Sequence, residues 1–383
     1  MCNNITMKKI AIFGGTFNPV HIEHVKMVER LIEELGIDKV IVVPTNIPPH
    51  KSTELLSNED RLNMLNLCFG DNKKVEVSDF EINNGGKSYS YITVEHFSKI
   101  YPNDILYFLV GGDMLKDFKT WKNPQKILDK ATLVVFARDD FEVDFEAEEE
   151  YFKNNYNSEF IRLNYNGKDV SSTRIRIYSA LGLPIDSMTS KEVEKYIVEK
   201  KLFSGKKEFE FVKNVLPKKR LIHTAEVAVL ALKKVRELAL DKDKVTLACI
   251  LHDCAKYVDY KSVDGFKLEK GVPEPVIHSF LGAYLAKNVL KVEDEEVLDA
   301  ISYHTSGKAN MSTLGKLLFV ADMIEPTRDY EGVEYLRKLY EEDFEKCFIE
   351  CLKEEMVHLK NKTKDIYFET INAYDYYVKK RED

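Results

Sequence analysis

The chain has no run of 18 apolar residues, which argues against a membrane-spanning helix. Its start, MCNNITMKK, lacks the apolar core of a secretory leader. Six cysteines, at positions 2, 68, 249, 254, 347 and 351, form no CxxC pair, so reduced thiols in a cytoplasmic protein are expected. A basic excess is also missing: net charge is −8 and the pI about 5.7, which excludes a broad nucleic-acid-binding face. Low-complexity linkers and internal repeats are lacking. What remains is 383 residues with 44% hydrophobic content, more than one core usually organises, so two domains are expected.

The first half alternates short apolar runs with helical patterns. KKIAIFGGTF, KVIVVPT, KVEVSDFEI, ILYFLVGGD, ATLVVFARD and FIRLNY read as strands. HVKMVERLIEELGI, residues 58–68 and SYITVEHFSKI read as helices between them. This pattern predicts an α/β doubly wound domain with its ligands at the C-terminal strand ends. The acidic, aromatic stretch 139–160 reads as a surface helix or loop. KEVEKYIVEKKLF closes the first domain, SGKKEF from Ser204 is the hinge, and the expected division is 1–203 and 204–383. Strand signals are scarce from Lys206 onward, so the second domain is expected to be all-α.

GGTFNPVHIEH, Gly14 to His24, follows the first strand. It is neither GxGxxG nor a GxxxxGK loop. Glycines there let backbone approach a ligand. Pro19 suits a helix start, and His21 and His24, three apart, would share one face at the positive helix end. Backbone donors and two imidazoles suit a polyphosphate. A metal is the rival reading, without a nearby acid at ligand spacing to complete it. Later, VSSTRIR offers hydroxyls at a helix start, and Arg176 or Arg174 as a planar phosphate partner.

These two stretches resemble the GGTFxPxHxGH and ISSTxIR signatures of bacterial nicotinate-mononucleotide adenylyltransferases, nucleotidylyltransferases with a Rossmann-like fold. IPPHK, GGKSYSYITV and GGD with Trp121 downstream agree in order. The resemblance covers about the first 200 residues. It implies transfer of AMP from ATP, with Mg²⁺, to nicotinate mononucleotide. It implies that His21 and His24 contact the phosphates, and that Ser172, Thr173 and Arg176 hold the β,γ end. Gly14, Gly15, Thr16 and Phe17 would line the nucleotide loop, Lys51 would meet phosphate, and Asp113 would lie in the pocket. Trp121 would stack on the pyridine or pack in the core. The family glycine between the histidines is Glu23 here, a side chain that could crowd phosphate. The motifs leave nicotinamide mononucleotide open as acceptor; the resemblance favours nicotinate.

In the second half, His223, His252, Asp253, His278, His304 and Asp322 each interrupt a core-like helical run. An aspartate inside LACILHDCAKY needs compensation, which a metal supplies. Nitrogen and carboxylate donors suit Fe, Mn, Zn or Mg. His358 reads as an ordinary helix residue, and Cys254 is expected to turn away. The order H…HD…D resembles the HD phosphohydrolase superfamily. RLIHTAEVA, HSFLGAYLA and the run from AISYHTSG resemble its symmetrical diadenosine tetraphosphatase branch. That resemblance implies cleavage of diadenosine tetraphosphate to two ADP, with the six residues as metal shell and Asp253 as bridge and catalytic centre. Lys256 would face phosphate, and Arg328 and Asp329 would close the site. The alternatives are an HD hydrolase for another nucleotide, or a nucleotide-binding regulatory module. Expected partners are thus ATP, the mononucleotide and diadenosine tetraphosphate, with no nucleic acid and no membrane; a homo-oligomer is left open.

Overall fold

The structure, a computed structural model, describes residues 7–48, 55–138, 144–165, 167–363 and 365–379. Two compact units emerge. One takes in residues up to Ile175 together with Ile185–Leu202; the other takes in Arg176–Pro184 and the residues from Phe203 onward.

The first unit is built on six parallel strands: β1 (Lys9–Gly15), β2 (Lys39–Pro44), β3 (Val75–Val77), β4 (Ile105–Gly111), β5 (Thr132–Arg138) and β6 (Phe160–Tyr165). Their order is β3-β2-β1-β4-β5-β6, so the progression of strand order reverses between β1 and β4 while all strands stay parallel. Ile10–Ile12, Val40–Val43 and Leu133–Val135 are buried along their whole length. Such unbroken burial is what helices on both faces of a parallel sheet require. The doubly wound expectation is met, and the strand-end crevice lies where the order reverses.

One element differs from the sequence reading. KVEVSDFEI is strand only over Val75–Val77, and Phe80–Asn84 is helical. The alternation of apolar residues breaks at Ser78-Asp79, where Asn83 N–H bonds back to the Asp79 carbonyl at 2.9 Å. Tertiary contacts favour the turn: Phe80 stacks on His96 at 3.7 Å, and buried Glu81 accepts from Thr93 Oγ1 at 2.5 Å. The acidic stretch forms a helix, Phe145–Tyr156, capped by Asp144.

The second unit has no strand among its described residues. Its core is lined by the helices Lys218–Lys234, Lys242–Leu251, Glu274–Asn288, Glu295–Tyr303, Thr313–Ile324 and Phe344–Lys362. Ser312 caps the Thr313–Ile324 helix, accepting from Gly315 N–H at 3.1 Å. That helix buries Leu314, Leu317, Leu318, Phe319, Val320 and Ala321, which leaves Asp322 as a carboxylate on a core helix. Cys249, Cys254, Cys347 and Cys351 are buried free thiols and Cys68 is half-buried. Among the described residues no helix is long and apolar enough to cross a membrane.

Candidate functional site

A cavity of about 380 Å³ opens at the C-terminal ends of β1 and β4 in the first unit. Gly14, Gly15, Thr16, Phe17, His21 and His24 line it, as do Gly111, Trp121 and Ser171. Phe17 adopts φ +45° and folds its ring over Gly15. A Cβ on Gly15 would stand 3.0 Å from that ring, so any larger residue there must push the Phe17 ring aside.

The histidine pair differs in detail from its sequence reading. The helix is Ile22–Leu35, and His21 is its N-cap, outside the helix. The rings still meet, stacked with centroids 3.6 Å apart. His21 N–H donates to His24 Nδ1 at 3.1 Å, which puts the proton of neutral His24 on Nε2. His24 is thereby a fixed donor, the role a phosphate oxygen needs. Glu23 is 0% exposed and is not among the cavity-lining residues. Its carboxylate accepts from the Tyr165 hydroxyl and from Lys26 Nζ, the latter at 2.9 Å. A Cβ on Gly167 would collide with that carboxylate at 2.4 Å. The substitution of glycine by Glu23 is therefore accommodated behind the histidines.

In the second motif the helix is Ser172–Ala180. Ser172 Oγ donates to the Pro19 carbonyl at 2.8 Å, tying the two motifs together. Arg174 pairs with Asp169 at 2.9 Å. Burial pushes the Arg176 guanidinium down to about 10. Val170 and Ser171 line the cavity; Ser172, Thr173 and Arg176 are not among its lining residues. Lys51 lies outside the described residues, as does the side chain of Asp113. Trp121 lines the cavity and packs on Phe118, with ring centroids 5.2 Å apart.

In the second unit the six singled-out residues converge. His252 caps the end of the Lys242–Leu251 helix and Asp253 follows it; His304 caps Glu295–Tyr303. His223, His278 and Asp322 project from inside their helices. His252 Nδ1 bonds the Cys249 carbonyl at 2.7 Å and His304 Nδ1 the Ile301 carbonyl at 2.8 Å. A carbonyl only accepts, so both protons sit on Nδ1 and both Nε2 lone pairs point inward. Inside, His252 Nε2 is 3.3 Å from His223 Nε2, and His304 Nε2 is 3.3 Å from His278 Nε2. Asp253 Oδ1 lies 3.1 Å from His278 Nε2 and 3.7 Å from His304 Nε2, buried and without a well-formed hydrogen bond. His223, His252 and Asp322 form one potential metal group and His252, Asp253 and His304 a second.

Inward-facing imidazole nitrogens beside carboxylates are the donor types a divalent cation takes. The donor set therefore fits a bound divalent metal. Electrostatics agree. Burial forces the His252 imidazole down to about 3 and lowers His278, so both rings are neutral. Burial works against Asp253 and Asp322 too, yet the surrounding imidazoles, with Arg328 beside Asp322, hold both carboxyls well below the usual range. Burial opposes charge on His223, but Asp322 at 3.0 Å and Glu325 at 2.9 Å outweigh it and raise its pKa.

Three polar partners escaped the sequence reading. Arg220 pairs with Asp253 Oδ2 at 2.7 Å, Glu325 takes the outer nitrogen of His223, and Thr305 Oγ1 lies 3.1 Å from His304 Nε2. Arg220 and Glu325 each stand three residues from a site residue, a spacing that carries weight only once the helix is known. Lys256 Nζ stands 3.0 Å from His278 Nε2, and Arg328 stands 2.5 Å from Asp322.

Comparison with known proteins places both units. Residues 12–177 match the cytidylyltransferase-like family and residues 220–327 the HD domain. A Clostridium tetani protein named "Probable nicotinate-nucleotide adenylyltransferase" is 41% identical over 172 residues, 44% of this chain and 86% of that protein. A Mycoplasma genitalium protein named "Probable nicotinate-nucleotide adenylyltransferase/Ap4A hydrolase" is 28% identical over 371 residues, 94% of this chain and 99% of that one. A crystal structure described as a predicted HD superfamily hydrolase involved in NAD metabolism, from Clostridium acetobutylicum, is 31% identical; it covers 45% of this chain and 96% of its own, with a TM-score of 0.42. The chain belongs to the nicotinate-nucleotide adenylyltransferase family, in a form that also carries an HD domain.

Proposed function

We propose that residues 1–203 transfer AMP from ATP to nicotinate mononucleotide, giving deamido-NAD and pyrophosphate. Residues 204–383 hydrolyse diadenosine tetraphosphate symmetrically to two ADP. In the first reaction the acceptor phosphate attacks the α-phosphorus directly, so catalysis is alignment and charge stabilisation. The fixed Nε2–H of His24 donates to a phosphate oxygen, with His21 stacked beside it. Ser172, Thr173 and Arg176 would hold the departing pyrophosphate, Mg²⁺ would accompany ATP, and Lys51 and Asp113 would be further partners of the nucleotide.

For the second reaction the carrying observation is the ring of inward-facing imidazole lone pairs around Asp253. His223, His252, Asp253, His278, His304 and Asp322 would hold the metal, with Fe first and Mn, Zn or Mg as alternatives. A bound metal supplies Lewis acidity toward phosphoryl oxygens and lowers the pKa of water. Arg220 fixes the orientation of Asp253, Glu325 fixes the tautomer of His223, and Lys256 offers its ammonium to a substrate phosphate. The tetraphosphate substrate is supported by the name of the Mycoplasma genitalium relative.

Two assays test the pair of readings. Nicotinate mononucleotide should exceed nicotinamide mononucleotide in kcat/KM with ATP; the reverse preference removes the acceptor assignment. Diadenosine tetraphosphate with added Fe or Mn should give two ADP; AMP plus ATP would reject symmetrical cleavage.

A further inference from the structure

Among the described residues Arg61 is the largest fully buried side chain, at 0% exposure on the Asn58–Phe69 helix. Burying a guanidinium is a poor route to stability, because desolvation offsets what its partners return. What the site receives is a rigid planar fork. Nη1 donates to the main-chain carbonyl of Thr16, inside the cavity-lining glycine turn, at 2.9 Å. Nη2 donates to Asn58 Oδ1 at 2.5 Å. Asn58 Nδ2 donates to Asn46 Oδ1 at 3.0 Å. Asn46 in turn donates Nδ2 to the Gly86 carbonyl at 3.1 Å and its backbone N–H to Ser88 Oγ at 2.9 Å. Ser88, Tyr89 and Ser90 form part of the cavity wall that faces this turn.

The network therefore joins two walls of one cavity through side chains that do not themselves line it. Thr16 stands on the wall that follows β1, Ser88 on the wall before the Ser90–Ile100 helix. Both Arg61 amino groups in the chain are committed at once, one to each direction. An ammonium on a flexible stem offers its three donors from a single point and lacks the fixed planar spacing of the fork.

We infer that Arg61 is a positioning residue for adenylyl transfer, which sets the separation between the Thr16 wall and the Gly86–Ser88 wall through Asn58 and Asn46. This rests on the adenylyltransferase reading of the first unit. Two substrates that react without a covalent intermediate depend on wall spacing for attack geometry, and a displacement of about 1 Å can cost about 100-fold in rate. The consequence falls on kcat more than on binding of either substrate.

The test uses the full chain with ATP, Mg²⁺ and nicotinate mononucleotide, with thermal melting and ATP binding measured alongside. Arg61→Met is expected to lower kcat at least tenfold with KM for ATP within threefold, and Arg61→Lys to rescue less than half of that loss. Should Arg61→Met not fold, Asn58→Ala breaks the same chain at a half-exposed residue, and should lower kcat at least fivefold. The double variant should turn over no more slowly than Arg61→Met alone, because both act through one path. A kcat per folded molecule within twofold of wild type in these variants, with only the melting temperature reduced, overturns the inference and leaves Arg61 a structural residue. Absence of wild-type turnover with either mononucleotide overturns the underlying reading, and this inference with it.

Discussion

Replacing Glu325 by alanine should weaken metal binding by the second unit without touching any of the six proposed ligands. Glu325 is 0% exposed and its carboxylate is fully used. Oε1 takes the His223 Nδ1 proton at 2.9 Å and the Thr327 hydroxyl at 2.5 Å, and Oε2 takes the Thr327 N–H at 2.6 Å. While that proton is held on Nδ1, Nε2 keeps its lone pair for a cation. Without Glu325 the imidazole is free to rotate or to move its proton to Nε2, where it cannot ligate. Loss of such an outer partner typically costs 10- to 100-fold in metal affinity, or about 1.4–2.7 kcal/mol. Arg328 adds to the effect. It lies 3.8 Å from Glu325 and 2.5 Å from Asp322, so with Glu325 gone its charge falls on Asp322 alone and competes for a ligand oxygen. Isothermal titration of metal-free protein with Mn²⁺ reads the change, with a thermal melt as control for folding. Glu325→Gln should fall between wild type and alanine, since an amide oxygen still accepts from Nδ1–H. A folded Glu325→Ala protein that binds Mn²⁺ within twofold of wild type would refute the assignment of His223 as a tautomer-fixed ligand.

Three other outcomes concern residues 1–203. Gly15→Ala should reduce adenylyl transfer and cost about 1–3 kcal/mol of stability, read from urea unfolding, because its Cβ meets the Phe17 ring at 3.0 Å; an unchanged midpoint contradicts this. Arg176→Ala should lower kcat/KM at least 100-fold while Arg174→Ala, whose side chain is engaged by Asp169, stays within threefold; equal losses contradict the division. Burial raises the Glu81 pKa above the ordinary carboxylate value, against the pull of Thr93, Ser88 and Arg61. Its folded state therefore binds the proton more tightly, so that stability is full at low pH and is lost as pH rises through the raised pKa. Glu81→Gln should accordingly gain melting temperature relative to wild type as pH goes from 4 to 8; a flat or opposite difference refutes this.

Much of the architecture was legible because its signals are local. Unbroken apolar runs such as KVIVV specify strands buried on both faces, and polar residues interrupting helical runs specified the convergent cluster of His223, His252, Asp253, His278, His304 and Asp322. What escaped depends on long-range contacts. KVEVSDFEI alternates well enough for a strand, yet Phe80 against His96 and Glu81 against Thr93 make its second half helical. His21 reads as helical from its spacing to His24, but the chain places it as the N-cap and uses the ring contact, not a helix face, to bring the pair together. Arg61, Arg220 and Glu325 are charged residues in ordinary-looking helices. Their partners lie 45, 33 and 102 positions away, so no local pattern marks them.

The most direct test of the two-site account is a crossed measurement on wild type, His21→Ala and Asp253→Ala. Each protein is given ATP with nicotinate mononucleotide, and separately diadenosine tetraphosphate with Mn²⁺, and the products are resolved by chromatography. The account predicts deamido-NAD from wild type and Asp253→Ala but not His21→Ala, and two ADP from wild type and His21→Ala but not Asp253→Ala. Loss of both activities together in either folded variant would contradict it.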